Sequence, residues 1–328
     1  MTVFDRDDIT AKVICSSFNP MTRTRIDTIQ LRYPRIVHAD FMTHRVFSRN
    51  ASSSRAIPVA SMLARDQVFI PNFRYNKPGM QPGENLSPSD QKIAAEIWNE
   101  MIEFVMKQCQ LLSDKHGLNI HKQWVNRPTE WFGYIDVVVT STDWDNFMLL
   151  RDHEAAQDEI QIMARKIKKA RDAVTPTVLK KGEWHLPYIT KEDWDYLDFI
   201  CDPARPDLFP KIWDSVRHIF SYWDGAWGLC PKIGLLLIIS AARCCRVSYA
   251  KHDGETSTLE EDVDRFLRLI KEGEPVHASP MEHQAYPVDY EEFGNRAWDD
   301  MTGNFRNFVQ FRKLVPNEAI FEDDCSEK

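Results

Sequence analysis

The sequence predicts an α+β fold, and three observations predict it. The stretches "AKVICSSFN" and "RIDTIQLRYPRIVHADFMTHR" near the start, and "WFGYIDVVVTST" further on, are rich in β-branched residues and read as extended chain. Apolar residues elsewhere recur at helical spacing over stretches too long for strands. Finally, 328 residues with 43% hydrophobic and 11% aromatic content can bury a substantial core, in one large domain or two ordinary ones.

The extended N-terminal segment leads into "THRVFSRNASSSRAIP", residues 43–58, which holds one His, three Arg, one Asn and four Ser with little to bury. A loop rich in Pro, Asn and Gly, "IPNFRYNKPGMQPGENLSPSD", follows. Next, Ile93, Ile97, Met101, Phe104 and Val105 mark a helix with Ser89 and Asp90 as caps. After "WFGYIDVVVTST" a second long helix is expected from near Asp145 through "NFMLLRDHEAAQDEIQIMARKIKKA". From 172 to about 230, Pro and Trp crowd the chain, which reads as an irregular cover or linker rather than a domain. The apolar run "IGLLLIISAA" is a buried element, about half of the ~20 residues a membrane-spanning helix needs. In "TSTLEEDVDRFLRLIKEG", Ser257 and Glu260 form a capping box, Leu259, Val263, Phe266, Leu267 and Ile270 form one face, and Gly273 ends the helix. The tail "EDDCSEK" reads as frayed. The chain thus divides into segments 1–171, 172–232 and 233–328.

A net charge of −8 argues against a general nucleic-acid binder, which needs a basic excess, although a local basic patch can hold one small anion. Seven cysteines, none in a CxxC pair or a zinc spacing, fit a reduced, cytoplasmic protein without a structural metal. The charged start "MTVFDRDDITAK" lacks the apolar core of a signal peptide. Neither membrane nor nucleic acid is an expected partner.

His44, Arg45, Ser48, Asn50, Ser53 and Arg55 offer guanidiniums, an imidazole, an amide and hydroxyls on one short piece of chain, an inventory suited to phosphate. Read as His-Arg-x-x-Ser-x-Asn-x-x-Ser-x-Arg, it resembles the signature of flavin-dependent thymidylate synthases, Arg-His-Arg, seven residues, then Ser. Thr43 stands where the first Arg is expected and Ala51 where a Glu is. Downstream, "HKQWVNRP" places Arg127 at the family's phosphate-binding Arg, and "NFMLLRDHEAAQDEI" places Asn146, Arg151, Gln157 and Glu159 in the family's Asn, four residues, Arg, then Ala-Gln-x-Glu-Ile pattern. Thr140 and Thr142 replace the family's Asn-x-Arg, and Ala155 a flavin-side His, with His153 two residues earlier. "RCCRVSY" and "HASPMEH" resemble the two motifs that normally precede the signature, and "NFRNFVQFRK" the segment leading into it. Their position after the signature is that of a circularly permuted chain.

The resemblance implies a central, mostly antiparallel sheet with long helices packed on it, in a homo-oligomer, and reductive methylation of dUMP to dTMP. FAD is the implied cofactor, and methylenetetrahydrofolate and NADPH the co-substrates. It assigns His44, Arg45, Asn50, Asn146, Ser248, Ser279 and Glu282 to the flavin. Ser53, Arg55, Arg127, Arg151 and Gln310 fall to the nucleotide, with Arg151 and His277 nearest the chemistry. The departures at Thr43, Ala51 and Ala155 leave open a relative with another base or one-carbon group, or a non-catalytic nucleotide-binding protein. Taken singly, His283 reads equally as a packed structural residue, and Cys244 and Cys245 as buried small ones.

Overall fold

The computed structural model describes residues 6–63, 68–204, 211–220, 228–247, 257–271, 276–289, 300–316 and 318. Strands β1 (Thr10–Asn19) and β2 (Thr24–Pro34) pair antiparallel, with a register shift between Val13 and Cys15. The chain then forms a short helix α1 (His38–Met42), strand β3 (Ser48–Ala51), helix α2 (Val59–Leu63) and the long helix α3 (Pro88–Ser113). Helix α4 (Lys122–Val125) precedes β4 (Tyr134–Ser141), which pairs antiparallel with both β2 and β3. Helices α5 (Asp145–Arg151) and α6 (Asp158–Asp172) follow, and β5 (Thr177–Val178) adds one parallel edge to β1. The strand order is β3-β4-β2-β1-β5, so the fold is α+β with a mostly antiparallel sheet, as expected.

The sheet separates two large cores, with a third, small cluster of Ile26, Leu179, Ala285, Phe305 and Phe308 beside it. Partners in antiparallel register share a face, so Ile29, Leu31 and Tyr33 of β2 lie beside Val139, Val137 and Ile135 of β4. This face packs on α5, α6 and an aromatic group of Phe41, Phe47, Trp144 and Phe147. On the other side stands a helical unit of α7 (Lys191–Ile200), α8 (Lys211–Phe220), α9 (Pro231–Arg246) and α10 (Leu259–Leu269). With them is a ribbon of β6 (Ala285–Pro287) and β7 (Phe308–Gln310). The apolar run is the centre of this unit, with Leu235 to Ile239 buried in α9.

Four expectations are corrected. The helix expected from Asp145 onward is two helices: the His153 imidazole accepts from the Ala155 amide and its carbonyl from the Gln161 side chain, which holds a break at 152–157. Gln157 and Glu159 therefore sit on a different helix from Asn146 and Arg151. The cap of α3 is Ser87, which accepts from the Asp90 amide, because Pro88 at the first helical position favours a start there. Its apolar stripe faces outward: Ile93, Ile97, Met101 and Phe104 are exposed, while Ile102 and Cys109 are buried. The capping box of α10 is Thr258 with Glu261, one residue on, because the Ser257 hydroxyl donates instead to Asp262. The stretch read as an irregular cover carries α7 and α8, and Trp184, Leu186 and Leu197 join the core around α9. Gly273 and the "EDDCSEK" tail lie outside the described residues. Among those described, no helix is long and apolar enough to cross a membrane, and no cluster of His, Cys, Asp or Glu could hold a metal ion.

Candidate functional site

The site is built around β3 and the end of α1. After α1 the chain turns through Thr43 and His44, whose amides bond the carbonyls of Asp40 and Phe41. His44 is buried against Phe47 and Phe147, its ring edge-on to Phe147 at 5.0 Å between centroids. Arg151, the last residue of α5, donates from Nε to His44 Nε2 at 3.0 Å. Its Nη2 donates to Thr43 Oγ1 at 3.1 Å and to the Asp40 carbonyl at 3.2 Å. A nitrogen that accepts from a guanidinium carries no proton, so His44 is neutral with its hydrogen on Nδ1. Burial, then the charges of Arg151 and Arg49, hold its pKa below the ordinary value.

Arg49 converges on the same turn. Its Nη1 donates to the carbonyls of Phe41, Met42 and His44 at 3.1–3.4 Å, and burial lowers its pKa. The carbonyls at the end of α1 thus gather two guanidiniums around one neutral imidazole.

Beyond β3 the basic stretch continues as a loop clasped by the turn that carries Arg127. Asn126, fully buried, donates to the carbonyls of Ser54 and Ile57 at 2.8 and 2.9 Å, and Lys122 donates to that of Ala56. Glu130 accepts from the Ser54 hydroxyl and pairs with Arg35 and Arg127. This clasp holds the exposed Arg55 and Arg127 on neighbouring pieces of chain, with the half-buried Ser53 beside them.

The opposite face of β3 meets the C-terminal segments. Ser48 accepts from Gln310 at 3.1 Å and from Asn304 at 3.4 Å, and Asn50 reaches the Cys244 carbonyl at 3.5 Å. Gln310, buried, also donates to the Glu282 carbonyl. Gly303, at φ 56°, lets this amide approach, since a Cβ there would stand 2.3 Å from Gln310 Oε1. Glu282 pairs with Arg312, and burial still raises its pKa.

Of the residues the sequence singles out, His44 meets Arg151, Gln310 meets Glu282, and Ser53 and Arg55 share a clasp with Arg127. Arg45, Asn146, His277 and Ser279 are exposed. Ser248 lies outside the described residues. His283 is a packed residue: its Nδ1 bonds Thr140, in a buried chain that runs Ser17, His185, Thr28, Thr140, His283. Cys244 and Cys245 are buried, and burial pushes both thiols up. Sequence reasoning missed Arg49, Asn126, Glu130, Asn304 and Arg312. Only Asn126 carried a signal, as the neighbour of Arg127 in "VNRP". Two cavities, of 720 and 630 Å³, flank α6 and are lined by none of the residues assigned to the site.

No protein-family profile matches the chain, and no curated protein does. Among solved structures it is similar to a UMP/dUMP methylase PolB from Streptomyces cacaoi, bound with 5-Br UMP, at 19% identity and a TM-score of 0.41 over 51% of this chain and 89% of that one. It is also similar to Thymidylate Synthase X from Helicobacter pylori, with FAD and dUMP, at 18% identity and a TM-score of 0.30 over 44% of this chain and 67% of that one.

Proposed function

We propose that the chain is a flavin-dependent thymidylate synthase-like enzyme that methylates dUMP at C5, with FAD as cofactor and methylenetetrahydrofolate and NADPH as co-substrates. The observation that carries this reading is the meeting of motif segments far apart in sequence: Arg151 bonds His44, and Gln310 and Glu282 close on Ser48 and its strand. It also supports a circular permutation, because the displaced "HASPMEH" segment reaches the signature strand from the C-terminal side.

The donor set suits a nucleotide and a flavin. Arg55, Arg127 and Ser53 offer two guanidiniums and a hydroxyl to a 5′-phosphate, which supplies orientation. Arg151 has three of its five N–H groups engaged, and the two on Nη1 have no hydrogen-bonded partner among the described residues. Those two donors suit a uracil carbonyl, where they stabilise the negative charge that makes C5 nucleophilic. Arg45 and Asn146, exposed and unpartnered among the described residues, fit the diphosphate and polar edges of FAD. Asn50, Ser248, Ser279 and Glu282 complete the proposed flavin residues, and His277 stands at the methyl-transfer side. FAD, once reduced by NADPH, would supply the hydride; the chain would hold and orient.

A second reading, the same chemistry on another pyrimidine nucleotide, is favoured by Ala51, which packs against the apolar core and offers no carboxylate. The outward stripe of α3 supports a homo-oligomer, since a contiguous exposed apolar face marks an interaction surface. Purified protein incubated with FAD, dUMP, methylenetetrahydrofolate and NADPH is expected to form dTMP and to show flavin absorbance. Flavin turnover with product from UMP alone would favour the second reading. A colourless protein that takes up no added FAD overturns both.

A further inference from the structure

Thr43, which breaks the family signature, occupies a specific place in the structure. Its hydroxyl donates to the Asp40 carbonyl at 2.6 Å and in the same geometry accepts from Arg151 Nη2 at 3.1 Å. One hydroxyl can do both, because its single hydrogen goes to the carbonyl and its lone pairs face the guanidinium. His44 Nε2 and the Asp40 carbonyl supply the other two acceptors, so one face of Arg151 meets three acceptors drawn from five consecutive residues. The carboxylate nearest to Arg151, that of Asp40, stands at 3.9 Å from Nη1, and that nitrogen makes no hydrogen bond among the described residues.

We propose that Thr43 is a positioning residue: it fixes the Arg151 guanidinium, together with His44, so that Nη1 is presented to the ring carbonyl of a pyrimidine nucleotide. This inference rests on the nucleotide reading of the site. An arginine at position 43 would bring a third guanidinium to a turn that already holds Arg49 and Arg151, and would remove the acceptor. Two cations facing each other across a few ångströms repel, here at an exposed turn where solvent moderates the effect. The threonine is then a matched partner of Arg151, and restoring the signature arginine damages the site.

The test has two readouts. In the ligand-free protein, nitrogen NMR of the His44 ring reports its tautomer and titration. Around His44 stand Arg151, Arg49 and the rings of Phe47 and Phe147. Thr43→Val is expected to loosen Arg151 and raise the His44 pKa toward its ordinary value, whereas Thr43→Ser keeps the wild-type titration. In calorimetry with dUMP, Thr43→Val is expected to weaken binding by about 10-fold, the effect of one hydrogen bond to a charged group. Thr43→Ser restores it, and Thr43→Arg binds no better than Thr43→Val. The proposal is overturned if Thr43→Val keeps both the wild-type titration and the wild-type affinity, or if Thr43→Arg binds dUMP more tightly than wild type. A wild-type protein that binds neither dUMP nor UMP sinks the functional reading instead, and the histidine titration still decides the positioning role.

Discussion

The two faces of the central sheet hold their neighbours by different physics. One face is aliphatic and aromatic, and closes on α5 and α6 by shape and area. The other carries Cys15, Ser17, Thr28, Thr140 and Ser48, and meets the helical unit through the chain from Ser17 through His185, Thr28 and Thr140 to His283, beside a small apolar cluster of Ile26, Leu179, Ala285, Phe305 and Phe308. An apolar contact loses a little with each atom removed. A buried polar chain needs every partner, and at its end His283 Nε2 and Gln284 Oε1 find none among the described residues. Edge strand β3 belongs to both: Arg49 points with the first face, Ser48 and Asn50 with the second.

Acid should separate the faces most strongly. Burial drives both His185 and His283 down to about 3 from 6.5, the nearby Asp27 opposing this at His185 and His185 adding to it at His283. A folded-state pKa below the unfolded one means that the unfolded chain binds more protons as pH falls. The stability from keeping these rings neutral is therefore complete above pH 6.5 and is lost progressively from there toward pH 3. Urea midpoints should fall steeply between pH 7 and 5, above the range where Asp8 and Asp193, both held below the ordinary carboxylate value, begin to contribute. A flat profile over that interval would contradict the neutral, buried assignment of the pair.

On the apolar face, Phe147→Ala should cost about 3–5 kcal/mol. Phe147 is fully buried and touches Phe41, Phe47, Trp144 and His44. The loss should be somewhat smaller at pH 6 than at pH 7.5, because the removed ring helps keep His44 buried and its pKa low, a stabilisation that wild type itself gives up as pH falls below 6.5. The variant should also weaken nucleotide binding at the proposed site, since the ring it removes is the wall behind His44.

Thr140→Val removes one hydroxyl from the polar face at nearly constant shape. It leaves His283 Nδ1 and Thr28 short of a partner, which should cost about 1–3 kcal/mol in urea unfolding. The mirror change next door, Val139→Thr, puts a hydroxyl into the aliphatic face and should cost a similar amount. A neutral Thr140→Val would mean that packing alone joins the two cores, and the contrast between the faces would collapse.

How far this was legible in the sequence follows from the range of each signal. The β-branched runs gave β1, β2 and β4, because alternation is local. The period of α3 was equally plain, yet Ile93, Ile97 and Phe104 point to solvent: spacing identifies an apolar face but not what covers it. The break after Arg151 was missed because His153 stops the helix through its own side chain, in a stretch whose composition favours helix throughout. Motif spacing singled out His44, Arg151 and Gln310, of which the fold brings the first two into contact, but the contact between Thr140 and His283 joins positions 143 apart and leaves no mark in local pattern. Arg49 was passed over because it occupies an unspecified position of the signature, and only the fold turns it onto the end of α1.

The smallest effect is expected at β3 itself, and it separates stability from binding. Asn50 is buried, but its one side-chain hydrogen bond among the described residues, to the Cys244 carbonyl, is long at 3.5 Å. Asn50→Ala should therefore lower stability by only about 1 kcal/mol, the net worth of an ordinary hydrogen bond. If Asn50 also faces the flavin, FAD affinity measured by fluorescence quenching should drop by far more than that loss implies. A matched, small change in both would make Asn50 a piece of the polar joint between sheet and helices. A large change in affinity at nearly constant stability would make the polar face of β3 the place where fold and site share one residue.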